Sequence, residues 1–333
     1  MSLVVSAAGG DLIPVTILTG FLGAGKTSLL ARVLRQAESA RTAVIINEFG
    51  DVGLDHDLVR ANTEARVLLL ESGCVCCSLR SDLTDTLRDL FRQRVMLKVP
   101  EFARVIVETT GLADPLPIVN ALQADPVTAV RFRLDAIVTV IDAVNGDAQL
   151  DVHPEAVRQA AMADRLILSK TDLASPRATA RLLARLAVLN PDAPPILSTL
   201  NDTPPGLLVS PGIDTPTDRS AALPHGHDDH DHRHDHGVGS FTFHYPTPLP
   251  WDRVSAALAA VLADYGDRIL RLKGILAIED EPLPVVIQGV GHNLYAPTSL
   301  PAWPEAIRAG RLVFITQGVD RAEIEPILAR HLG

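Results

Sequence analysis

The stretch Gly20-Phe-Leu-Gly-Ala-Gly-Lys-Thr27 decides the fold of this chain. It matches the pattern G-x-x-x-x-G-K-[ST], follows a strand predicted at Val15–Thr19 and opens a helix predicted at Thr27–Ala37. A strand, a glycine-rich turn and a helix in that order form the setting in which this pattern binds phosphate groups. The alternative is a glycine-rich turn without a ligand, but the context favours a phosphate-binding P-loop.

The residues of this P-loop have different predicted roles in holding a nucleotide. Backbone N–H groups between the glycines surround phosphate oxygens, and the N-terminus of the following helix adds its positive end. We expect Lys26 to reach the β and γ phosphates and Thr27 to coordinate Mg²⁺. These two residues and Glu108, described below, are the predicted catalytic residues. The predicted nucleotide-binding positions in the loop are Gly20, Gly23, Ala24, Gly25, Lys26, Thr27 and Ser28.

Short apolar runs alternate with helical patterns over residues 1–200. Runs rich in Val, Ile and Leu that are bounded by turn or polar residues predict buried strands. Their alternation with helices predicts an α/β fold, a mostly parallel sheet with helices on both faces. The predicted strands are Val15–Thr19, Ala43–Ile46, Val67–Leu70, Arg104–Val107, Ala136–Ile141 and Leu166–Leu168, and the predicted helices are Thr27–Ala37, Leu79–Phe91, Glu155–Ala163 and Arg177–Leu189.

The pattern changes after Pro191, where prolines recur without periodicity up to Pro224 and a histidine-rich segment, residues 225–236, follows. This composition predicts a linker. Strand and helix patterns return from Ser240 and predict a smaller C-terminal α+β domain. We therefore expect a P-loop domain at 1–200, a linker at 201–239 and the C-terminal domain at 240–333. Its predicted strands are Phe241–Tyr245, Ile269–Ile278, Val285–Gln288 and Leu312–Thr316, and its predicted helices are Pro250–Leu262 and Arg321–Leu332.

Two further motifs follow predicted strands of the first domain. Ser169-Lys170-Thr171-Asp172 resembles the [N/S]KxD guanine signature, in which the carboxylate of Asp172 accepts from the ring N1–H and the exocyclic amine while the stem of Lys170 covers the base. Arg104-Val-Ile-Val-Glu108 fits a Walker B strand, with Glu108 approaching Mg²⁺, and Gly111 is placed to offer its N–H to the γ-phosphate. The alternative for Ser169–Asp172 is a solvated turn after a strand, and the alternative for Glu108 is an acid that caps a strand.

The 3 cysteines of the chain are clustered at Cys74, Cys76 and Cys77. Three thiols in four residues suit Zn²⁺ or another thiophilic metal, and the helix predicted from Leu79 would favour their thiolate forms. Glu48, in the stretch after the second strand, is the predicted additional ligand. The alternatives for the fourth position are water, a buffer molecule or a client residue, with Glu48 then a solvated strand-end acid. A redox dithiol or buried free cysteines are the alternatives. The count also excludes a disulfide scaffold.

A second group of metal-binding side chains lies in the histidine-rich segment. It holds six of the 11 histidines, which predicts weak, exchangeable binding of divalent metals, with a solvated loop as the alternative. The isolated histidines are predicted to be structural; they are His56, His153, His244, His292 and His331. The predicted auxiliary ligands are His225, His227, His230, His232, His234 and His236.

Composition excludes several classes of function. Lys+Arg 30 against Asp+Glu 40 gives a net charge of −10, which argues against general binding of nucleic acid. No apolar run is long enough for a membrane span, and no Lys or Arg precedes Lys26, so we expect neither a membrane span nor the basic region of a signal peptide. The content of 47% hydrophobic and 21% charged residues is typical of a globular protein with a sizeable core. With no span or signal region expected, the expected compartment is the reducing cytoplasm.

In combination, these motifs resemble the CobW family of P-loop GTPases, also described as GTPase metallochaperones. The resemblance covers nearly the whole chain, and the order of its motifs is more specific than any one of them. The matching stretches are 19–27, 47–50, 71–80, 108–115, 169–172 and 269–276. It implies a SIMIBI-type GTPase that uses GTP/GDP and Mg²⁺ and binds Zn²⁺, with Co²⁺ as the alternative, at the cysteines.

The resemblance also implies a client metalloprotein as partner, because members supply zinc, insert cobalt for cobalamin synthesis or activate nitrile hydratase. A nucleotide- or metal-dependent homodimer is a further option. Since no obvious water-positioning glutamine stands directly after Gly111 and no arginine finger can be assigned, we expect slow intrinsic GTP hydrolysis. The rival functions are a passive metal buffer or sensor and a P-loop kinase acting on a small molecule.

Overall fold

A computed structural model describes residues 12–36, 41–46, 68–71, 79–199, 202, 204, 206–208, 232–234, 237–304 and 309–333. The chain divides into two compact units, Asp11–Ser210 and Pro211–Gly333, and each is considered by itself. None of the helices in the described ranges is long and apolar enough to cross a membrane. The predicted domain limits, with a linker at 201–239, stay a prediction.

The first unit is built on one parallel sheet. Within the described residues the sheet has seven strands in the order β3-β2-β4-β1-β5-β6-β7, and every pair is parallel. The strand that leads into the P-loop, β1, is therefore central, and its side chains are almost all buried. The strands are β1 (Ile13–Thr19), β2 (Thr42–Ile46), β3 (Leu68–Glu71), β4 (Arg104–Glu108), β5 (Phe132–Asp142), β6 (Arg165–Ser169) and β7 (Ile196–Leu197).

In the described connections, helices lie between successive strands, as parallel pairing requires. The predicted α/β class with a mostly parallel sheet is confirmed. The sequence pattern does not predict helix α3 (Pro115–Ala124), because the stretch after Gly111 carries a motif but no clear helical period. Asp114 caps this helix by accepting from the Leu116 N–H at 2.9 Å, and Pro115 suits the first helical position. The helices are α1 (Lys26–Val33), α2 (Leu79–Val95), α3 (Pro115–Ala124), α4 (Pro126–Ala129), α5 (Gly146–Val152), α6 (Pro154–Met162) and α7 (Pro176–Leu189).

The register of the sheet brings the ends of several strands to one level. Ile46, the last residue of β2, pairs with both Glu71 on β3 and Glu108 on β4. Beyond β1 in the strand order, Asp142 at the end of β5 pairs with Ser169 at the end of β6. Because parallel strands end at the same edge, the loops that follow them converge there, at the usual ligand-binding edge of an open α/β sheet.

The second unit is a smaller domain with an antiparallel sheet, which confirms the predicted C-terminal α+β domain. Among the described residues its main strand order is β12-β11-β10-β14-β9-β8, and two helices, α8 and α9, pack with the sheet in a core that includes Phe243, Phe314, Leu258 and Ile324. Its elements are β8 (His232–His234), β9 (Val238–Tyr245), α8 (Trp251–Tyr265), a 3₁₀ turn (Gly266–Arg268), β10 (Ile269–Leu276), β11 (Val285–Val290), β12 (Asn293–Leu294), β13 (Thr298–Ser299), β14 (Gly310–Gln317) and α9 (Arg321–Leu332).

Two stretches interpreted as linker have regular or buried structure. Leu207 and Leu208 are buried in the core of the first unit, where the Leu208 carbonyl accepts from the Thr16 hydroxyl at 3.2 Å. In the histidine-rich segment, His232–His234 pairs antiparallel with β9 across a turn at Gly237, whose φ is 76°. Periodicity cannot reveal pieces this short, because they contain less than one turn of helix or two pleats of strand.

Candidate nucleotide site

The P-loop has the compact geometry of a phosphate cradle. Lys26 Nζ donates to the Gly20 carbonyl at 2.9 Å, so the lysine folds back along the loop. Gly20 passes so close to β5 that a Cβ there would lie 2.2 Å from the Val140 carbonyl oxygen. Gly25 precedes α1 with a φ of 91°, in the left-handed region that favours glycine. The loop backbone therefore requires glycine at both ends.

The oxygen ligands predicted for Mg²⁺ lie together. The Thr27 hydroxyl donates to Glu108 Oε1 at 2.7 Å, and the Glu108 side chain is buried at the end of β4. Next to it, the Thr109 hydroxyl donates to the Thr19 hydroxyl at 2.9 Å and fixes the ends of β4 and β1 against each other. A hydroxyl and a carboxylate are hard oxygen donors of the kind that Mg²⁺ prefers, so the donor set fits this ion.

The motif predicted to bind the base is tied directly to the P-loop. Lys170 Nζ donates to the Gly23 carbonyl and to Asp142 Oδ2, both at 2.7 Å. The Ser169 hydroxyl donates to the Ala24 carbonyl at 2.7 Å. The two loops, which follow β1 and β6, are thereby fixed against each other.

Asp142 was not predicted as a site residue, although it lies at the end of β5 between these loops. Burial alone would raise its pKa, but hydrogen bonds from Lys170, the Asn145 side chain and the backbone N–H groups of Val144 and Asn145 lower the pKa of this carboxyl below its usual value. It is therefore a buried carboxylate that holds Lys170 in place. In sequence it resembles an ordinary strand-end acid, so only the fold reveals this contact.

Asp172 lies two residues after Lys170 and is exposed to solvent. Lys170 has a φ of 56°, an unusual left-handed conformation for a residue with a side chain. The chain thus turns sharply between the buried end of β6 and the exposed carboxylate. This leaves Asp172 accessible to a base, while Lys170 stays bonded to the P-loop.

Gly111 lies directly against the P-loop. A Cβ on Gly111 would be 2.6 Å from the Leu22 backbone nitrogen and 2.7 Å from its Cα, so only glycine fits here. On its other side, Gln159 of α6 donates from Nε2 to the carbonyls of Gly111 and Ala113 at 3.2 and 2.9 Å. Gln159 was missed in the sequence, because one glutamine on a predicted helix carries no signal of a distant partner.

His153 and Phe21 form a second contact between the P-loop and the start of α6. Their rings stack with centroids 4.4 Å apart and an interplanar angle of 29°. His153 was predicted to be an isolated structural residue, and the sequence gives no indication that it packs on the P-loop. Ser28 of the predicted nucleotide-binding set is exposed on the first turn of α1.

Most of the predicted transition-metal ligands lie outside the described residues. Within the described ranges, no group of three His, Cys, Asp or Glu side chains is placed to hold a metal ion. For His232 and His234 the structure gives the backbone strand β8. The ligands outside the described residues are Cys74, Cys76, Cys77, Glu48, His225, His227, His230 and His236.

Comparison with known families gives two matches that together span most of the chain. The family described as CobW/HypB/UreG, nucleotide-binding domain, matches residues 14–196. The family described as cobalamin synthesis protein cobW C-terminal domain matches residues 238–332.

Individual relatives are similar to this chain along most of its length. The zinc chaperone YjiA of Escherichia coli (strain K12) is 34% identical over 318 residues, which are 95% of this chain and 98% of YjiA. The zinc chaperone CobW of Pseudomonas aeruginosa is 35% identical over 345 residues, covering 94% and 89%. The crystal structure of Zn(II)-bound YjiA GTPase from E. coli superposes with a TM-score of 0.71 at 28% identity, covering 97% of this chain and 100% of that one.

Proposed function

Because this chain belongs to the CobW/HypB/UreG nucleotide-binding family and carries a CobW C-terminal domain, we propose that it is a GTPase metallochaperone. It binds GTP, hydrolyses it slowly, and carries a thiophilic divalent metal, zinc before cobalt, to a client metalloprotein in the cytoplasm. Two relatives of nearly the same extent are named zinc chaperones, which supports both the metal and the role. The C-terminal domain contributes to choosing the client.

The bridge made by Lys170 is the observation that carries the nucleotide part of the proposal. One ammonium group bonds the phosphate-binding loop at Gly23 and the buried carboxylate of Asp142. These contacts hold the proposed base-binding loop next to the phosphate-binding loop, so that the two loops can bind the two ends of one nucleotide. Asp172 then selects guanine, because its carboxylate accepts from N1–H and the exocyclic amine, a donor pair that adenine lacks.

The hydrolytic part of the proposal rests on the residues around the phosphates. Lys26 would hold the β and γ phosphates, and Thr27 and Glu108 would hold Mg²⁺. When bound, Mg²⁺ neutralises charge that develops on the phosphates. Gly111 donates its N–H to the γ-phosphate, so this residue distinguishes GTP from GDP.

Sheet register supports coupling between the metal and the nucleotide. The segment with the cysteines follows Glu71 in the sequence, and the segment with Glu48 follows Ile46. Both residues are in register with Glu108: Ile46 lies on the neighbouring strand, and Glu71 lies two strands away. Neighbouring strands are about 4.8 Å apart, so both segments leave the sheet within about 10 Å of the magnesium residue. Cys74, Cys76 and Cys77 are the proposed zinc ligands, and Glu48 is the proposed fourth.

The proposal is tested by separating zinc binding from GTP hydrolysis in two variants. Replacement of all three cysteines by serine is expected to abolish tight zinc binding and to leave GTP binding intact. Lys26→Ala is expected to keep zinc binding but to lose GTP hydrolysis and the nucleotide dependence of zinc release. Zinc release is measured as transfer to a chromogenic chelator, and hydrolysis as phosphate production.

Two outcomes would support the rival functions instead. If GTP has no effect on zinc transfer by the wild-type protein and Lys26→Ala transfers at the same rate, the protein is a passive buffer. If ATP is preferred and a small molecule becomes phosphorylated, it is a kinase. The match to the YjiA GTPase over the full length of that chain favours neither.

A further inference from the structure

Helix α6 contacts both segments that surround the nucleotide phosphates. At its N-terminus, His153 stacks on Phe21 of the P-loop. One turn later, Arg158 donates to Asp114 Oδ2 at 2.5 Å, and Asp114 caps the helix that follows Gly111. The helix is therefore in contact with the loop after β1 and with the loop after β4.

Gln159 makes the central contact of this helix. Its side chain is fully buried, and Nε2 donates to the carbonyls of Gly111 and Ala113 at 3.2 and 2.9 Å. Only the NH₂ end of an amide can face two carbonyl oxygens, so chemistry fixes its orientation. The backbone carbonyl of Gln159 accepts from the Thr139 hydroxyl at 2.7 Å, which ties this turn of the helix to β5.

The turn 111–113, which Gln159 bonds on one side, is packed against the P-loop on the other side. Gly111 lies against the backbone of Leu22, where even a Cβ would be too close. Between the two bonded carbonyls, the side chain of Leu112 is 54% exposed. The turn 111–113 is thus clamped between the P-loop and α6, and it faces solvent only at Leu112.

The amide of Gln159 is an unfavourable choice if its role is only to fill space. Among the described residues, no donor bonds its other atom, Oε1, which is buried. A buried acceptor without a donor costs free energy, whereas an apolar side chain of similar volume would avoid that cost. The amide is therefore best explained by what its NH₂ group holds.

We propose that Gln159 is a positioning residue that keeps the Gly111 turn in the conformation that accepts the γ-phosphate. The inference rests on the proposed GTP-binding function, in which the Gly111 N–H meets the γ-phosphate. GDP lacks that group, so Gln159 contributes to GTP affinity and not to GDP affinity. Its presence sets the preference of the protein for the triphosphate.

The test compares Gln159→Leu with a control, Asn190→Leu. Asn190 is also a buried amide, and its Nδ2 donates to the carbonyls of Ala160, Ala161 and Ala163 at the end of α6, away from Gly111. Each variant removes a buried amide that donates to backbone carbonyls: Gln159 lies on α6 and Asn190 binds the end of α6. Affinities for GDP and for a non-hydrolysable GTP analogue are measured with the full-length protein.

Loss of two hydrogen bonds predicts a roughly 5- to 30-fold fall in GTP-analogue affinity for Gln159→Leu, with GDP affinity unchanged. Asn190→Leu is expected to lower Tm without changing the ratio of the two affinities. An unchanged ratio in Gln159→Leu would overturn the inference. Failure of the wild-type protein to bind either guanine nucleotide would overturn the proposed function, and the inference with it.

A second variant covers the case in which Gln159→Leu does not fold. Gln159→Glu keeps the shape of the side chain. Burial beside two carbonyl oxygens raises the pKa of the new carboxyl, which can donate to one carbonyl while protonated and to neither once ionised. The ratio of GTP-analogue to GDP affinity is expected to be lower than in the wild type and to fall more steeply than the wild-type ratio as pH rises. A ratio equal to that of the wild type at every pH would contradict the positioning role.

Discussion

The Thr27 hydroxyl donates to Glu108 Oε1 across 2.7 Å, which joins the first turn of α1 to the end of β4. These two residues are far apart in the sequence, and each belongs to a different motif. Their contact brings the P-loop and the Walker B strand into one oxygen-lined site. Substitutions at the two positions should therefore affect the same property, the dependence of GTP hydrolysis on Mg²⁺.

Glu108→Gln is expected to reduce Mg²⁺-dependent GTP hydrolysis by about 10- to 100-fold, because it removes a charge that orients the water shell of the ion. Thr27→Ala should cause a similar loss, since it removes a direct ligand. Thr27→Ser keeps the hydroxyl and is the matched control, with activity close to that of the wild type. Hydrolysis is followed against Mg²⁺ concentration. Equal Mg²⁺ dependence in Glu108→Gln and wild type would contradict the assignment.

Gly111→Ala is expected to lower the affinity for a GTP analogue by roughly tenfold or more and to change GDP affinity less. The added Cβ would be 2.6 Å from the Leu22 nitrogen, so the turn must move away from the P-loop. Equilibrium binding of both nucleotides measures the effect.

The control for this variant is a crowded glycine in the second unit. A Cβ on Gly274 would lie 2.8 Å from the Arg311 carbonyl oxygen, within the antiparallel sheet. Gly274→Ala is therefore expected to lower Tm and to leave the ratio of nucleotide affinities unchanged. If the two variants change that ratio equally, close packing of Gly111 on the P-loop does not explain the effect.

Asp172→Asn is expected to reduce GTP affinity by about 10- to 100-fold, because the amide is uncharged and can accept only from N1–H, while its NH₂ group faces the exocyclic amine of guanine. The amide can instead donate to the C2 carbonyl of xanthine, so XTP should compete better than in the wild type. Competition between GTP, ATP and XTP measures this change. Undiminished GTP preference in the variant would show that Asp172 does not read the base.

Acid should weaken the first unit through Asp142. Its pKa is lower in the folded state than the unfolded value of about 3.9, so the carboxylate stabilises the fold above about pH 4. This contribution is lost as pH falls through the folded-state pKa. Asp142→Asn should therefore flatten the fall in unfolding free energy below about pH 4. Urea unfolding at a series of pH values measures the slope, and parallel curves for the two proteins would count against this role.

The parts of the fold that the sequence predicts are those with local signals. The P-loop, with its fixed glycines and Lys26, predicts a strand before it and a helix after it, and the structure has β1 and α1 there. The sequence also predicts helix α7, which begins at Pro176 and is capped by the Ser175 side chain, whose hydroxyl accepts from the Ala178 N–H at 3.2 Å. Signals of this kind act over a few residues, so they survive without knowledge of the rest of the chain.

The features that the sequence does not predict depend on contacts between distant positions. Gln159 meets Gly111 only because α6 packs near the end of β4, and Lys170 meets Asp142 only because β5 and β6 are neighbours. The order of the strands differs from their order in the chain, and no local pattern encodes it. Leu207 and Leu208 follow a stretch rich in prolines, and two adjacent leucines carry no periodic pattern that would indicate their burial.

Titration of zinc into the GTP-analogue and GDP forms tests most directly whether nucleotide state changes the zinc affinity of this protein. We predict different zinc affinities in the two forms. Because coupling is reciprocal, zinc should change the ratio of GTP-analogue to GDP affinity by the same factor. The serine replacement of Cys74, Cys76 and Cys77 should remove the difference. Equal zinc affinities in the GTP-analogue and GDP forms of the wild-type protein would contradict the account.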